Sequence, residues 1–128
     1  MDRLFVYGTL QPGASAWHLL EPWVTGTPRP AGLPGVLYDT GCGYPALELR
    51  ADGPAVSGWL VRLRAPSGPA LAALDSYEGS EYRRVRVRLA DGERCWTYVW
   101  IMGFAGLRRL GTPWPAQGAG HSGSRGAP

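Results

Sequence analysis

Leu4-Phe5-Val6-Tyr7-Gly8-Thr9-Leu10, continued by Gln11-Pro12-Gly13, is the stretch from which the fold of this chain is read. Leu4 to Tyr7 is an uncharged run of aromatic, aliphatic and β-branched residues closed by glycine, the pattern of a short strand buried on both faces. A strand of that kind belongs at the centre of a sheet. Gly8 is expected to turn the chain at positive φ, which a residue carrying a Cβ resists, and Pro12-Gly13 closes the turn. Such a turn leaves successive backbone N–H groups at the end of a strand, where they can converge on a carboxylate or a developing oxyanion. Two readings stand side by side on these residues: an anion-binding turn, and an ordinary buried strand that ends in glycine.

The rest of the composition bounds the answer. A length of 128 residues fits one compact domain able to bury a core without disulfides or metals. No apolar run approaches the ~20 residues that cross a bilayer, and the N-terminus lacks the basic-then-apolar pattern of a signal peptide, so the expectation is a soluble cytoplasmic protein with no membrane partner. Cys42 and Cys95 make neither a disulfide framework nor a metal cluster, and they are read as reduced thiols without a role. The 19 glycines and 12 prolines favour many turns and short strands over long helices. All 13 basic residues are arginine, which removes lysine Schiff-base chemistry.

Beyond the first turn, Ala14 to Trp23 carries a helical pattern with Ser15 as N-cap, broken by Pro22, and His18 lies beside its apolar stripe. The prolines and glycines from Thr27 to Pro34 suggest an irregular or edge segment. Gly35 to Tyr38 and Pro45 to Leu49 read as strands, as does Val56 to Leu63, in which Gly58 marks a bulge or a close backbone approach. The mixed patterns suit a curved, barrel-like sheet.

Ser67-Gly68-Pro69 opens the clearest helix, with serine as cap and proline in the first turn, and Gly79 ends it. Leu71, Leu74 and Glu78 stand at i, i+3 and i+7, which puts the Glu78 carboxyl on the stripe facing the core. Burial and the negative end of the helix dipole would raise its pKa towards the range of a general base. The alternative is that Glu78 turns past the helix end into water or pairs with an arginine. A hairpin follows: Tyr82 to Leu89 alternates arginine with apolar residues, Asp91-Gly92 turns, and Arg94 to Ile101 returns as an aromatic strand. The arginine row is read as the solvated face of that strand and not as a nucleic-acid patch. The domain is placed at 1–110, and 111–128 is expected to be a flexible tail.

Taken together, Phe5-Val6-Tyr7-Gly8-Thr9-Leu10, Gly43-Tyr44-Pro45-Ala46-Leu47, Val56-Ser57-Gly58, Leu74-Asp75-Ser76-Tyr77-Glu78-Gly79 with Tyr82-Arg83-Arg84-Val85, and Thr97-Tyr98-Val99-Trp100 resemble, in the same order, the gamma-glutamylcyclotransferase-like family. The resemblance covers nearly all of the chain except the tail. It implies a small mixed α+β fold whose curved sheet forms a barrel with a few short helices and a pocket at one end. It also implies a cyclotransferase that releases 5-oxoproline and an amine or amino acid from a small γ-glutamyl substrate, without metal or cofactor. Glu78 would be the acid/base. Tyr7, Gly8, Thr9 and Leu10, with Tyr44, Pro45 and Tyr82, would bind substrate. One departure is Gly111-Thr112-Pro113-Trp114, where the family often carries serine-glycine-aspartate-tryptophan. A non-catalytic γ-glutamyl or amino-acid-binding module is the alternative, and a base at position 78 speaks against it. Peptides, γ-glutamyl amino acids, γ-glutamylamines and γ-glutamyl-protected metabolites all stay open as substrates.

Overall fold

The computed structural model describes residues 2–115. In chain order it contains β1 (Arg3–Val6), α1 (Trp17–Leu20), a 3-10 turn (Glu21–Trp23), β2 (Val24–Asp39), β3 (Pro45–Leu49), β4 (Ala55–Leu63), α2 (Gly68–Glu78), β5 (Tyr82–Arg88), β6 (Arg94–Trp100) and β7 (Arg108–Leu110). The strands form one curled sheet in the order β3-β2-β4-β1-β6-β5, with β7 paired to β2. This is the mixed α+β half-barrel with few, short helices that the sequence led us to expect. No helix among the described residues is long and apolar enough to cross a membrane.

β1 takes the central place. It runs antiparallel to β4, with Phe5 opposite Leu60, and parallel to β6, with Leu4 beside Trp96. Its alternation serves two cores. Leu4 and Val6 join Leu20, Leu71 and Leu74 beneath the helices, whereas Phe5 and Tyr7 join Leu33, Leu37, Leu47 and Leu60 on the other side. Thr97, fully buried on β6, donates its hydroxyl to the Phe5 carbonyl at 2.9 Å and ties the two strands together.

Gly58 marks a close approach, as expected. A Cβ there would lie 2.4 Å from the Val6 carbonyl oxygen and 2.7 Å from the Phe5 ring. The hairpin also forms as read, from Tyr82 opposite Trp100 to Arg88 opposite Arg94, with Gly92 at φ 90° in its turn.

Several local expectations are corrected. Of the two expectations for Thr27 to Pro34, an irregular or an edge segment, the second holds: the stretch belongs to β2, which is continuous over 16 residues, and among the described residues only β4 pairs with it there. It pairs with β4 as far as Pro34 and, apart from an irregularity between Thr25 and Arg29, keeps register. Pro28, Pro30 and Pro34 all fall on even positions of this run. The Gly32 carbonyl accepts from the Ala90 amide and the Pro34 carbonyl from the Arg50 amide, so even positions point away from β4. Proline lacks an N–H and is tolerated on that side of a strand.

The helix expected over 14–23 shrinks to α1 and the 3-10 turn; Ala16 occupies its N-cap without a side-chain bond, and Ser15 and His18 are exposed. The left-handed position in the first turn falls at Gly13, φ 82°, and not at Gly8. Ser67 precedes α2 without capping it, because its hydroxyl donates to Asp2 instead. β7 was not foreseen. After it Trp114 packs against the core of Phe5 and Leu37, and Gln11 donates to its carbonyl at 3.1 Å. From residue 116 onward the expected tail lies outside the described residues.

Candidate active site

α2 carries Glu78 in its last turn, and Gly79 at φ 78° ends the helix there with its N–H bonded to the Asp75 carbonyl. The helix buries Ala70, Leu71, Leu74 and Glu78 on one face, so the expected stripe is real and the carboxyl lies on it. Glu78 is 2% exposed, and neither carboxyl oxygen has a hydrogen-bond partner. Rotation into water and pairing with an arginine are both ruled out in this conformation. Burial, followed by the negative charge of Asp75, pushes the Glu78 pKa well above the ordinary carboxyl value.

The hydroxyls around Glu78 are committed elsewhere. Tyr7 donates to the Tyr98 carbonyl at 2.6 Å, Tyr82 donates to the Pro45 carbonyl at 2.5 Å, and Tyr98 donates to Asp75 at 2.6 Å. The Tyr77 hydroxyl lies 3.2 Å from the Thr9 hydroxyl. All four tyrosines are close enough for the Glu78 charge, adding to burial in each case, to raise their own pKa. Asp75 is also clamped by Arg84, whose Nε and Nη2 reach its two oxygens at 2.8 and 3.1 Å. Partial burial opposes ionisation of Asp75, but the Arg84 fork and the Tyr98 hydroxyl outweigh it and hold its carboxyl below the usual value.

The residues expected to bind substrate gather around this centre. Tyr7, Thr9 and Leu10 are nearly fully buried, and Gly8 lies buried between them. The turn closes through the Gln11 amide to the Gly8 carbonyl and the Ala16 amide to the Thr9 carbonyl. Tyr44 comes from the loop before β3 and meets Tyr82 and Trp100, with ring centroids 6.2 and 6.5 Å away. Its hydroxyl donates to Glu81 at 3.1 Å, and burial first and Glu81 second push its pKa up to about 12. Pro45 is joined to the cluster through Tyr82.

Sequence reasoning assigned no place here to Asp75, Tyr77, Tyr98 or Trp100. The signal available for the last two was the alternation of Trp96, Tyr98 and Trp100 on one face of β6. The arginine row is not simply solvated either: Arg84 and Arg86 lie over the Trp96 ring, 4.2 and 4.4 Å from its centroid, and Arg84 is bound to Asp75.

Elsewhere, a cleft of 270 Å³ lies where β4 and β7 meet beside β2, lined by Val36, Ala55, Arg109 and Pro113 among others, and contains none of these residues. Cys42 is exposed, whereas Cys95 is buried, and burial pushes its thiol pKa up to about 12. Among the described residues no group of three or more His, Cys, Asp or Glu side chains is placed to hold a metal ion.

A family model described as gamma-glutamyl cyclotransferase, AIG2-like, matches residues 4–116. The chain belongs to this family. A protein of Halalkalibacterium halodurans, provisionally named a gamma-glutamylcyclotransferase, is 38% identical over 69 residues; that match spans 51% of this chain and 62% of the relative. The crystal structure of a mouse AIG2-like protein superposes with a TM-score of 0.70 over 100% of this chain and 96% of that one, at 20% identity. A uropathogenic Escherichia coli-specific protein superposes with a TM-score of 0.67, at 18% identity, over 85% of this chain and 87% of that one. At these identities the two structures show a shared fold, and in this gamma-glutamyl cyclotransferase-like fold Glu78 sits where α2 meets the first turn.

The burial of Glu78 makes stability depend on pH. Because its folded pKa is raised, the folded chain keeps a proton that the unfolded chain releases. Its contribution is therefore complete below the unfolded carboxyl range and is lost as pH rises towards the folded value. Glu78→Gln, which has no proton to lose, is expected to gain steadily in melting temperature relative to the parent as pH rises above the ordinary carboxyl range. Thermal melts of both proteins across and above that range measure the gap, and a gap independent of pH would contradict the buried, protonated carboxyl.

Proposed function

We propose that this chain is a gamma-glutamyl cyclotransferase that converts a γ-glutamyl compound into 5-oxoproline and a free amine or amino acid. The observation that carries the reading is the buried Glu78 carboxyl without a hydrogen-bond partner, next in sequence to Tyr77, whose hydroxyl meets Thr9 of the turn that follows β1. Family membership supports the reaction class.

The reaction is an intramolecular aminolysis. The substrate's α-amine begins as an ammonium ion and must lose a proton before it can attack. Glu78 accepts that proton in its ionised form, the amine nitrogen bonds to the γ-carbonyl carbon, and the resulting tetrahedral centre places negative charge on oxygen and positive charge on the new ring nitrogen. As the oxyanion recloses to the carbonyl and the bond to the leaving nitrogen breaks, Glu78 returns the proton to that nitrogen, and the ring nitrogen gives up its excess proton to the released amine, leaving the neutral lactam. A carboxyl of raised pKa suits both transfers, because its affinity for the proton approaches that of its partners.

The N–H groups of Gly8, Thr9 and Leu10 would orient the glutamyl group or meet the developing oxyanion, while Tyr44, Pro45 and Tyr82 would wall the substrate site. Holding the amine over its own carbonyl adds the advantage of proximity. A module that only binds its ligand has no use for an unpaired carboxyl buried at this point.

The test is to incubate the pure protein with a panel of γ-glutamyl peptides, amino acids and amines and to follow 5-oxoproline by mass spectrometry. Product is expected with no added metal or nucleotide and at an unchanged rate in EDTA. Acetylation of the substrate's α-amine should abolish turnover, since that nitrogen is the nucleophile. Free glutamate in place of 5-oxoproline would make the protein a hydrolase.

A further inference from the structure

Glu78 is faced by titratable groups from every element packed against it: Asp75 and Tyr77 on α2, Tyr7 at the end of β1, Tyr82 on β5 and Tyr98 on β6. Among these, Asp75 carries a full charge at neutral pH. It precedes Glu78 by three residues, a spacing that makes the two side chains neighbours on the helix surface.

Two carboxylates so placed would ordinarily turn apart or share a proton. Asp75 does neither, because Arg84 from β5 grips both of its oxygens and the Tyr98 hydroxyl from β6 donates to Oδ1. The fork is itself held in place, since Arg84 lies 4.2 Å from the centroid of the Trp96 ring. By accepting from Tyr98 at 2.6 Å, Asp75 also keeps that hydroxyl engaged away from Glu78.

We propose that Asp75, anchored by Arg84 and Tyr98, is a positioning residue that sets the proton affinity of Glu78, by fixing a negative charge beside the buried carboxyl and by withholding the Tyr98 hydroxyl from it. The significance of this device rests on the reading of Glu78 as the acid/base; its test does not. A base that must take a proton from an ammonium group and later return it to a leaving nitrogen works best when its affinity is tuned upwards. Asp75 raises that affinity, and Arg84 limits the rise by partly neutralising Asp75.

The experiment observes the Glu78 carboxyl directly in the substrate-free protein. Protein carrying ¹³C at the glutamate δ-carbons is titrated by NMR, with the Glu78 signal assigned by its disappearance in Glu78→Gln. Asp75→Asn keeps the size and an acceptor for Tyr98 but removes the charge, so the Glu78 titration should move to lower pH by about half a unit to one unit. Arg84→Met keeps an apolar contact with Trp96 but uncovers the Asp75 charge, so the titration should move to higher pH.

Opposite movements support the proposal. Movement of both variants in one direction, or of neither, overturns it, because a merely structural pair would loosen the same contact from either side. Should Asp75→Asn fail to fold, Arg84→Met decides alone: an upward shift supports the proposal, and no shift or a downward one overturns it. The ascending limb of the rate–pH profile is then compared with the NMR titration in the same variants. A limb that stays fixed while the Glu78 signal moves would remove Glu78 as the base and leave the influence of Asp75 standing.

Discussion

Glu78→Gln is expected to fold, to bind a γ-glutamyl substrate, and to lose on the order of 10²–10⁴-fold in turnover. Glutamine fills the same space and creates no cavity, but it cannot cycle a proton. Glu81 is the natural control, because it lies three residues further on and is also a carboxylate. The two differ in environment: Glu78 is 2% exposed with no partner, whereas Glu81 is partly exposed and accepts the Tyr44 hydroxyl at 3.1 Å. Glutamine at position 81 can still accept that bond, so Glu81→Gln should remain within a few-fold of the parent. Steady-state rates on the best substrate of the panel, with circular dichroism to verify folding, make the comparison. Near-parental turnover in a folded Glu78→Gln protein would falsify the assignment, and an inactive Glu81→Gln beside it would move the base to Glu81.

Gly58→Ala should produce the largest loss of stability from the smallest change in composition. The added methyl carbon would sit 2.4 Å from the Val6 carbonyl oxygen and 2.7 and 3.0 Å from two atoms of the Phe5 ring. Backbone at the centre of a sheet cannot retreat as the end of a flexible side chain can. Val6 is paired with Trp59, and Phe5 is among the most buried residues of the core. Overpacking of this kind typically costs about 1–3 kcal/mol, and a clash against paired backbone puts Gly58→Ala at the upper end or beyond. Urea denaturation is expected to show a lower midpoint with an unchanged slope. A midpoint equal to the parent's would mean that β1 and β4 can separate more freely than their register suggests. Gly41→Ala serves as a comparison, since open space surrounds that position and only its φ of 82° resists a side chain.

What could be read from the chain and what could not divides along a physical line. β1, the body of α2 and the hairpin from Tyr82 to Trp100 are each specified by their own residues, through an uncharged run, a helical stripe ended by Gly79 or strict alternation about Asp91-Gly92. Glu78 belongs with them, because its place on the stripe follows from counting residues along one helix. The first half of β2 stays open in the local sequence between an irregular and an edge segment, because proline is locally a strand breaker. Its acceptability at Pro28, Pro30 and Pro34 depends on which edge β4 occupies, a fact of tertiary structure. β7 has only three residues and exists because β2 offers an edge beyond the reach of β4. The network beside Glu78 was hidden for a related reason. Asp75, Tyr98 and Arg84 come from three elements, and nothing in the local sequence tells a tyrosine where to send its hydroxyl. The Ser67 cap failed in the same way, since Asp2, brought close only by folding, offers that hydroxyl a charged acceptor.

The pairing of β1 with β6 also has a consequence for how the molecule comes to exist. Tyr7 reaches the Tyr98 carbonyl across 91 positions of sequence, Thr97 reaches the Phe5 carbonyl across 92, and Gln11 reaches Trp114 across 103. Each of these contacts closes most of the chain into a loop before any energy is returned. Topologies dominated by such distant pairings fold slowly compared with helical bundles of similar stability. On the ribosome, β1 would emerge before the strands it pairs with and wait, its buried faces uncovered, until the last long strand was released. The bonds that tie Tyr7 and Asp75, both near Glu78, to Tyr98 would then be made only in the closing step of folding, so that no shorter nascent chain would hold that carboxyl in its final surroundings.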